Sequence, residues 1–134
     1  MPDGNMVNVH TFAQRYTAAW CSGDPAAVAS FFSADGSLTI NDGEPSRGRA
    51  AIAEAARSFM EAFPDLAVAM DSVAERDGKT IYRWTLTGTN TGAGGSGKRV
   101  RISGFEEWRL GEDGLVAESR GYFDAADYQR QLEI

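Results

Sequence analysis

Residues 101–110, RISGFEEWRL, alternate strictly, placing Ile102, Gly104, Glu106, Trp108 and Leu110 on one face and Arg101, Ser103, Glu107 and Arg109 on the other. A period of two commits this stretch to a half-buried β-strand with the first set turned inward. Glu106 is thereby predicted to point into an apolar interior beside Trp108. Taking a carboxylate out of water is costly, so it must be hydrogen-bonded, paired or protonated. Two readings follow: a carboxyl poised for proton chemistry, or a structural one sitting at a bulge or satisfied by a buried hydroxyl.

The rest of the chain arranges itself around that strand. Val9, Phe12, Tyr16, Ala19 and Trp20 recur at helical spacing and predict an amphipathic helix over Val9 to Cys21, stopped by Gly23. Asp24 and Pro25 start a second short helix with Val28, Phe31 and Phe32 as its buried stripe, and Ser37 to Ile40 reads as a short strand. After the turn-rich NDGEPSRG, a third helix over Arg49 to Phe63 buries Ile52, Ala56, Phe59 and Phe63 and ends before Pro64. Four strand segments follow, Leu66 to Ala74, Thr80 to Thr89, Val100 to Leu110 and Leu115 to Phe123, joined by ERDGK, a Gly-rich loop and GEDG. A helix over Asp124 to Leu132 closes the chain. Helices first and a strand meander afterwards predict one α+β domain over residues 1–134, with helices packed on one face of a curved antiparallel sheet.

Composition narrows the function. Cys21 and His10 are each the only residue of their kind, which excludes an internal disulfide and a Cys/His metal site; a His-dependent triad would need His10, in a segment expected to fray. A net charge of −6 does not supply the basic face that neutralises nucleic-acid phosphates. No leader-like or membrane-length apolar run is present, so a soluble, cytoplasmic chain is expected.

Helices over a concave sheet leave an interior, and the inward residues predict its lining. Tyr82, Trp84 and Leu86 share one strand face, Ile102, Glu106 and Trp108 another, while Tyr16, Trp20, Phe59 and Phe63 enter from the helices. Such an apolar, aromatic lining suits a small hydrophobic ligand, although the same aromatics can simply fill a core. Tyr16 and a protonated Glu106 facing one space could both donate to a developing oxyanion.

The order of elements and the segments QRYTAAWCSGD (14–24), GTNTGAGGSGKRVRISG (88–104) and YFDAADYQRQL (122–132) resemble the SnoaL-like polyketide cyclases of the nuclear-transport-factor-2-like and ketosteroid-isomerase-like superfamily. That resemblance implies a cone-shaped α+β barrel enclosing a pocket, a small apolar partner and no cofactor or metal. It implies either a cofactor-independent isomerase, cyclase or hydratase acting on a carbonyl compound, or a non-catalytic binding module or accessory subunit using the same pocket. Tyr16 matches the tyrosine that ketosteroid isomerases use on the steroid oxyanion, and Glu106 falls where they hold a protonated aspartic acid. The departures are equally specific. The isomerase base position is Ile40, with Asp42 two residues on; the cyclase base position is Gly121, and Glu106 replaces the cyclase histidine. An Asp-Arg-Asp relay of the limonene-epoxide-hydrolase type is not apparent, with Gly104 in the arginine's place.

Three further motifs carry plainer expectations. GAGGSGK (92–98) has phosphate-loop spacing, but Arg99 stands where the hydroxyl residue belongs and a strand follows, so it reads as a flexible hairpin loop over the pocket mouth. Asp124 and Asp127 read as helix-start residues before metal ligands. Glu107, Arg109, Glu118 and Arg120 read as charge pairs on the convex sheet face, where a homodimer is expected.

Overall fold

A computed structural model describes residues 4–133, with side chains described from Val9 onward. Its elements are α1 (Gly4–Cys21), α2 (Pro25–Ala29), β1 (Phe32–Ile40), β2 (Ser46–Arg47), α3 (Arg49–Ala62), β3 (Ala67–Arg76), β4 (Lys79–Thr89), β5 (Arg99–Leu110), β6 (Val116–Phe123) and α4 (Ala125–Leu132). The strands form one six-stranded sheet in the order β2-β1-β6-β5-β4-β3. The α+β class is as expected. The sheet, however, is mixed: β1 runs parallel to β6, and every other pair is antiparallel. A parallel pair needs a crossover, and here everything from β2 to β5 lies between the two strands.

Local chemistry accounts for the boundaries. Gly23, at φ +77, sits just past the end of α1 in the left-handed region that glycine adopts without strain. The Asp24 carboxylate accepts from the Ala26 amide and Pro25 opens α2. α2 ends at Ala29, so Phe32 is the first residue of β1 and not part of a helical stripe. Its Cα pairs with Val116, which gives the backbone a ladder partner that three more residues of short helix could not. α3 ends at Ala62, with Phe63 leaving the helix at φ −128 ahead of Pro64. Asp124 caps α4 by accepting from the Asp127 amide, and Asp127 pairs with Arg130, so both carboxylates serve the helix.

α1 packs along β3 and α2, α3 lies on α2 and β1, and α4 lies on β5. The α4 contact is fixed by the Gln131 amide, which donates to the Arg101 carbonyl at 2.9 Å and accepts from its N–H at 2.7 Å. Two apolar clusters result. One gathers Tyr16, Val28, Phe32, Ile52, Tyr82 and Trp108; the other gathers Phe63, Leu66, Leu86, Val100 and Ile102. No helix among the described residues is long and apolar enough to cross a membrane.

The convex face carries the expected charge pairs, Arg109–Glu118 across β5 and β6 among them, with Lys79 of β4 joining the set. Arg109 and Arg120 both reach Glu118, at 3.7 and 3.2 Å, while Glu107 meets Lys79 at 3.7 Å. The Gly-rich loop is held down. The Asn90 side chain donates to the Ala62 carbonyl and accepts from the Ser96 amide, and the Gly92 amide also donates to Ala62. These bonds satisfy the end of α3, and no loop residue lines the interior cavity, so the expected cover over a pocket mouth is not what this loop provides.

Candidate functional site

Strand register lays the inward residues in rows across the sheet. Ile40 (β1), Gly121 (β6), Glu106 (β5), Tyr82 (β4) and Val73 (β3) form one row. Leu38, Ser119, Trp108 and Thr80 form the row on one side of it; Phe123, Gly104, Trp84 and Met70 form the row on the other. Glycines set the depth of these rows. A Cβ at Gly104 would lie 2.7 Å from Trp84 Cζ2 and 2.2 Å from the Tyr122 carbonyl oxygen, so the indole of Trp84 lies where a side chain would stand. Gly121 leaves free space beside the Glu106 Cγ.

Glu106 points inward, as its alternation predicts, and is only 7% exposed. Its Oε1 accepts from the Trp108 indole N–H at 2.8 Å, from the Ser119 hydroxyl at 2.8 Å and from the Tyr16 hydroxyl at 3.1 Å. Its Oε2 has the Tyr16 hydroxyl alone, at 3.1 Å. The two oxygens are therefore unequal. Oε1 is fixed as an acceptor by two firm donors, so a proton on this carboxyl resides on Oε2, the oxygen with spare capacity. Burial pushes the Glu106 carboxyl above its ordinary range, against the three donors, which favour the anion. Burial, and then the neighbouring Glu106 charge, push the Tyr16 phenol well above its usual range. Tyr82 is pushed up mainly by burial as well. The Thr17 hydroxyl commits its proton to the Ala13 carbonyl at 2.8 Å, so Tyr82 donates to Thr17 at 2.5 Å and not to Glu106.

The carboxyl borders a cavity of about 60 Å³ lined from the sheet by Leu38, Ile40, Val68, Tyr82, Trp84, Leu86, Ile102, Gly121 and Phe123, and from the helices by Trp20 and Phe59. Its members come from both apolar clusters, so it lies between them. Ligand pockets for drug-sized molecules run to roughly 300–1,000 Å³, so this space suits a ligand of few heavy atoms.

The structure brings Glu106, Trp20, Phe59, Tyr82 and Trp84 together around this space and places three expected residues elsewhere. Phe63 is wholly buried against Gly88, where a Cβ would come within 2.9 Å of it; the missing side chain there draws the ring into the second cluster. Trp108 is wholly buried, stacked on Tyr82 at 5.0 Å, and turned back to Glu106. Tyr16 is also wholly buried and does not line the cavity, so its hydroxyl meets the carboxyl and not a ligand. Ser119, Val68 and Phe123 went unremarked in the sequence. Period two from the exposed Arg120 places Ser119, Gly121 and Phe123 on the inner face, which was the available signal. Asp42 is exposed in the turn after β1. Its neighbour Asn41, at φ +51, donates through its N–H to the Gly121 carbonyl and accepts from the Phe123 amide, anchoring a turn that leaves Asp42 outside the lining. His10 lies within α1 and is exposed.

Helices packed on one face of a six-stranded mixed sheet make a ketosteroid-isomerase-like fold, and solved structures share it. A candidate polyketide cyclase from Xanthomonas campestris aligns with a TM-score of 0.84 at 19% identity, covering 97% of this chain and 100% of that one. TsrD from Streptomyces laurentii gives 0.79 at 23%, covering 98% and 97%. A hypothetical protein of ketosteroid isomerase-like fold from Catenulispora acidiphila, in complex with trimethylamine, gives 0.79 at 16%, covering 90% and 91%. At these identities the likeness is one of fold, and the ligand belongs to that protein. No curated protein matches the chain in sequence. The family model for SnoaL-like polyketide cyclase matches residues 10–132, and the chain belongs to that family.

Proposed function

We propose that the chain is a cofactor-independent proton-transfer protein in which Glu106 acts through Oε2 on a small apolar carbonyl compound. The observation that carries this reading is the asymmetry of a carboxyl that borders the cavity: Oε1 holds two donors at 2.8 Å besides Tyr16, while Oε2 has the Tyr16 hydroxyl alone, at 3.1 Å. Burial raises the carboxyl above its ordinary range, which makes its anion a stronger base and its acid form easier to keep, as proton removal and return by one group require. Gly121 and then Ile40 follow it in the same row and carry no titratable group, and Tyr82 on its other side commits its proton to Thr17, so one group must do both jobs. That favours enolisation or isomerisation, in which one group removes a proton and returns it, over reactions that need a separate acid and base. Tyr16, Trp108 and Ser119 are positioning residues in this scheme.

The test is exchange of the α-hydrogens of cyclohexanone in deuterated water, followed by proton NMR. Wild type accelerates the exchange and Glu106→Gln, which keeps the shape, does not. Equal rates for the two proteins refute proton transfer by Glu106.

The second reading, a binding module using the same cavity, draws on the lining having no second carboxyl and no histidine. For either reading we propose a homodimer through the convex sheet face. Phe105 and Tyr122 pack there at 5.1 Å, Arg83 lies 5.5 Å over the Phe105 ring, and Tyr122 is the large hydrophobic residue left most exposed among the described residues.

A further inference from the structure

The donors around Glu106 and its burial pull in opposite directions. Trp108, Ser119 and Tyr16 all direct N–H or O–H groups at the carboxyl, an arrangement suited to the anion. What opposes the anion is its burial and the lack of a counter-charge in the lining. No Lys, Arg or His lines the cavity, and none of the ion pairs among the described residues includes Glu106. Glu106 is thus held neutral by a proton on the free chain, and a counter-charge for its anion has to come from a ligand, since the lining supplies none. The walls suit such a guest. Trp20 stands at 73° to Phe59 and Trp84 at 63° to Phe123, each pair 6.2 Å between ring centres. Paired rings set steeply to each other wall the space from different directions, and aromatic walls attract cations through their negative faces. The chain's net charge of −6 favours a positive ligand over a negative one.

We propose that the cavity binds a small protonated amine, its N–H on Oε2 of Glu106 and its alkyl groups against Trp20, Phe59, Trp84 and Phe123. This rests on the cavity being the ligand site and not on proton transfer there. The proton balance is simple: the ammonium enters with its own proton, and a neutral Glu106 releases the proton on Oε2 to solvent as the ion pair forms. Affinity therefore falls as pH drops below the titration of Glu106. The other titratable groups facing the carboxyl are Tyr16 from α1 and Tyr82 from β4, both of which keep their protons; β6 offers only Ser119 and Gly121.

The test compares N,N-dimethylethanolamine with its uncharged carbon isostere, 3-methyl-1-butanol, by NMR titration of the full chain. The Trp108 indole N–H, bonded to Glu106, is the reporter. Wild type is expected to bind the amine at least about tenfold tighter, the worth of one modest ion pair, and Glu106→Gln to erase the difference. Equal affinity of the two probes for wild type overturns the proposal and needs no variant. Cyclohexanone separates the two levels of failure. If it binds while the amine does not, the amine proposal falls and the pocket reading stands; if no probe moves the indole signal, both fall.

Discussion

Replacing Ser119 by alanine tests the carboxyl's environment at its most separable point. Ser119 is wholly buried and its hydroxyl donates to Glu106 Oε1 at 2.8 Å, so the change deletes one hydrogen bond and little volume. A hydrogen bond between neutral groups contributes about 1 kcal/mol net, and one to a charged group about 1.5–3. Burial raises the Glu106 carboxyl above its ordinary range, so the folded chain keeps a proton that the unfolded chain releases first. Its contribution to stability is fully present below the unfolded titration and is lost as pH rises through the folded one. Ser119→Ala should therefore cost about 1 kcal/mol where Glu106 is neutral and about 2 kcal/mol where it is ionised. Urea unfolding followed by tryptophan fluorescence, on either side of the Glu106 titration and with unchanged m-values, measures both. In a Glu106→Gln background the extra loss at high pH should vanish. The same cost at both pH values would refute either the hydrogen bond or the titration of Glu106 in that range.

Other substitutions separate core from cavity. Phe63→Ala should cost about 3–5 kcal/mol in urea unfolding and leave ketone binding unchanged, whereas Phe59→Ala should cost less and admit larger ketones; identical behaviour of the two would undo their assignment to different spaces. Gly104→Ala forces a Cβ against the Tyr122 carbonyl and the Trp84 ring and should lose about 1–3 kcal/mol or more, so a neutral result in thermal unfolding rules out this packing. Tyr122→Glu should convert the proposed dimer to a monomer in light scattering behind size exclusion. A wild type that already elutes as a monomer disposes of that interface.

How far the site could be read from sequence depends on what a period can encode. Alternation gives the face of a strand, and it turned Glu106, Tyr82 and Trp84 inward correctly. It does not give depth. Whether an inward ring meets a cavity or vanishes into a core is decided by the neighbour across the strand or helix: Gly88 draws Phe63 in, and the stacking of Trp108 on Tyr82 removes the indole from the lining. The helices were legible because their caps and stops are local. The parallel β1–β6 pair was not, since its register joins Ser37–Ile40 to Glu118–Gly121 across most of the chain. Phe32 shows the same limit on a smaller scale, being apolar at a spacing that suits a helix and placed in a strand by a partner far away in sequence. The Gly-rich loop reads as flexible by composition, and the Asn90 side chain together with the Gly92 amide ties it down.

Gly121 has a consequence for how proteins of this shape change over time. Its φ is not among the positive values, and a Cβ there would meet the Glu106 Cγ and the Thr39 carbonyl at 3.7 Å, an ordinary contact. The glycine is thus a vacancy and not a requirement of the backbone. An aspartate at 121 would set a second carboxyl beside Glu106, and two such groups titrate as a pair and no longer as one acid. A lineage can therefore move between single-carboxyl and paired-carboxyl chemistry by one replacement on β6, with the sheet, the helices and the aromatic walls left as they are.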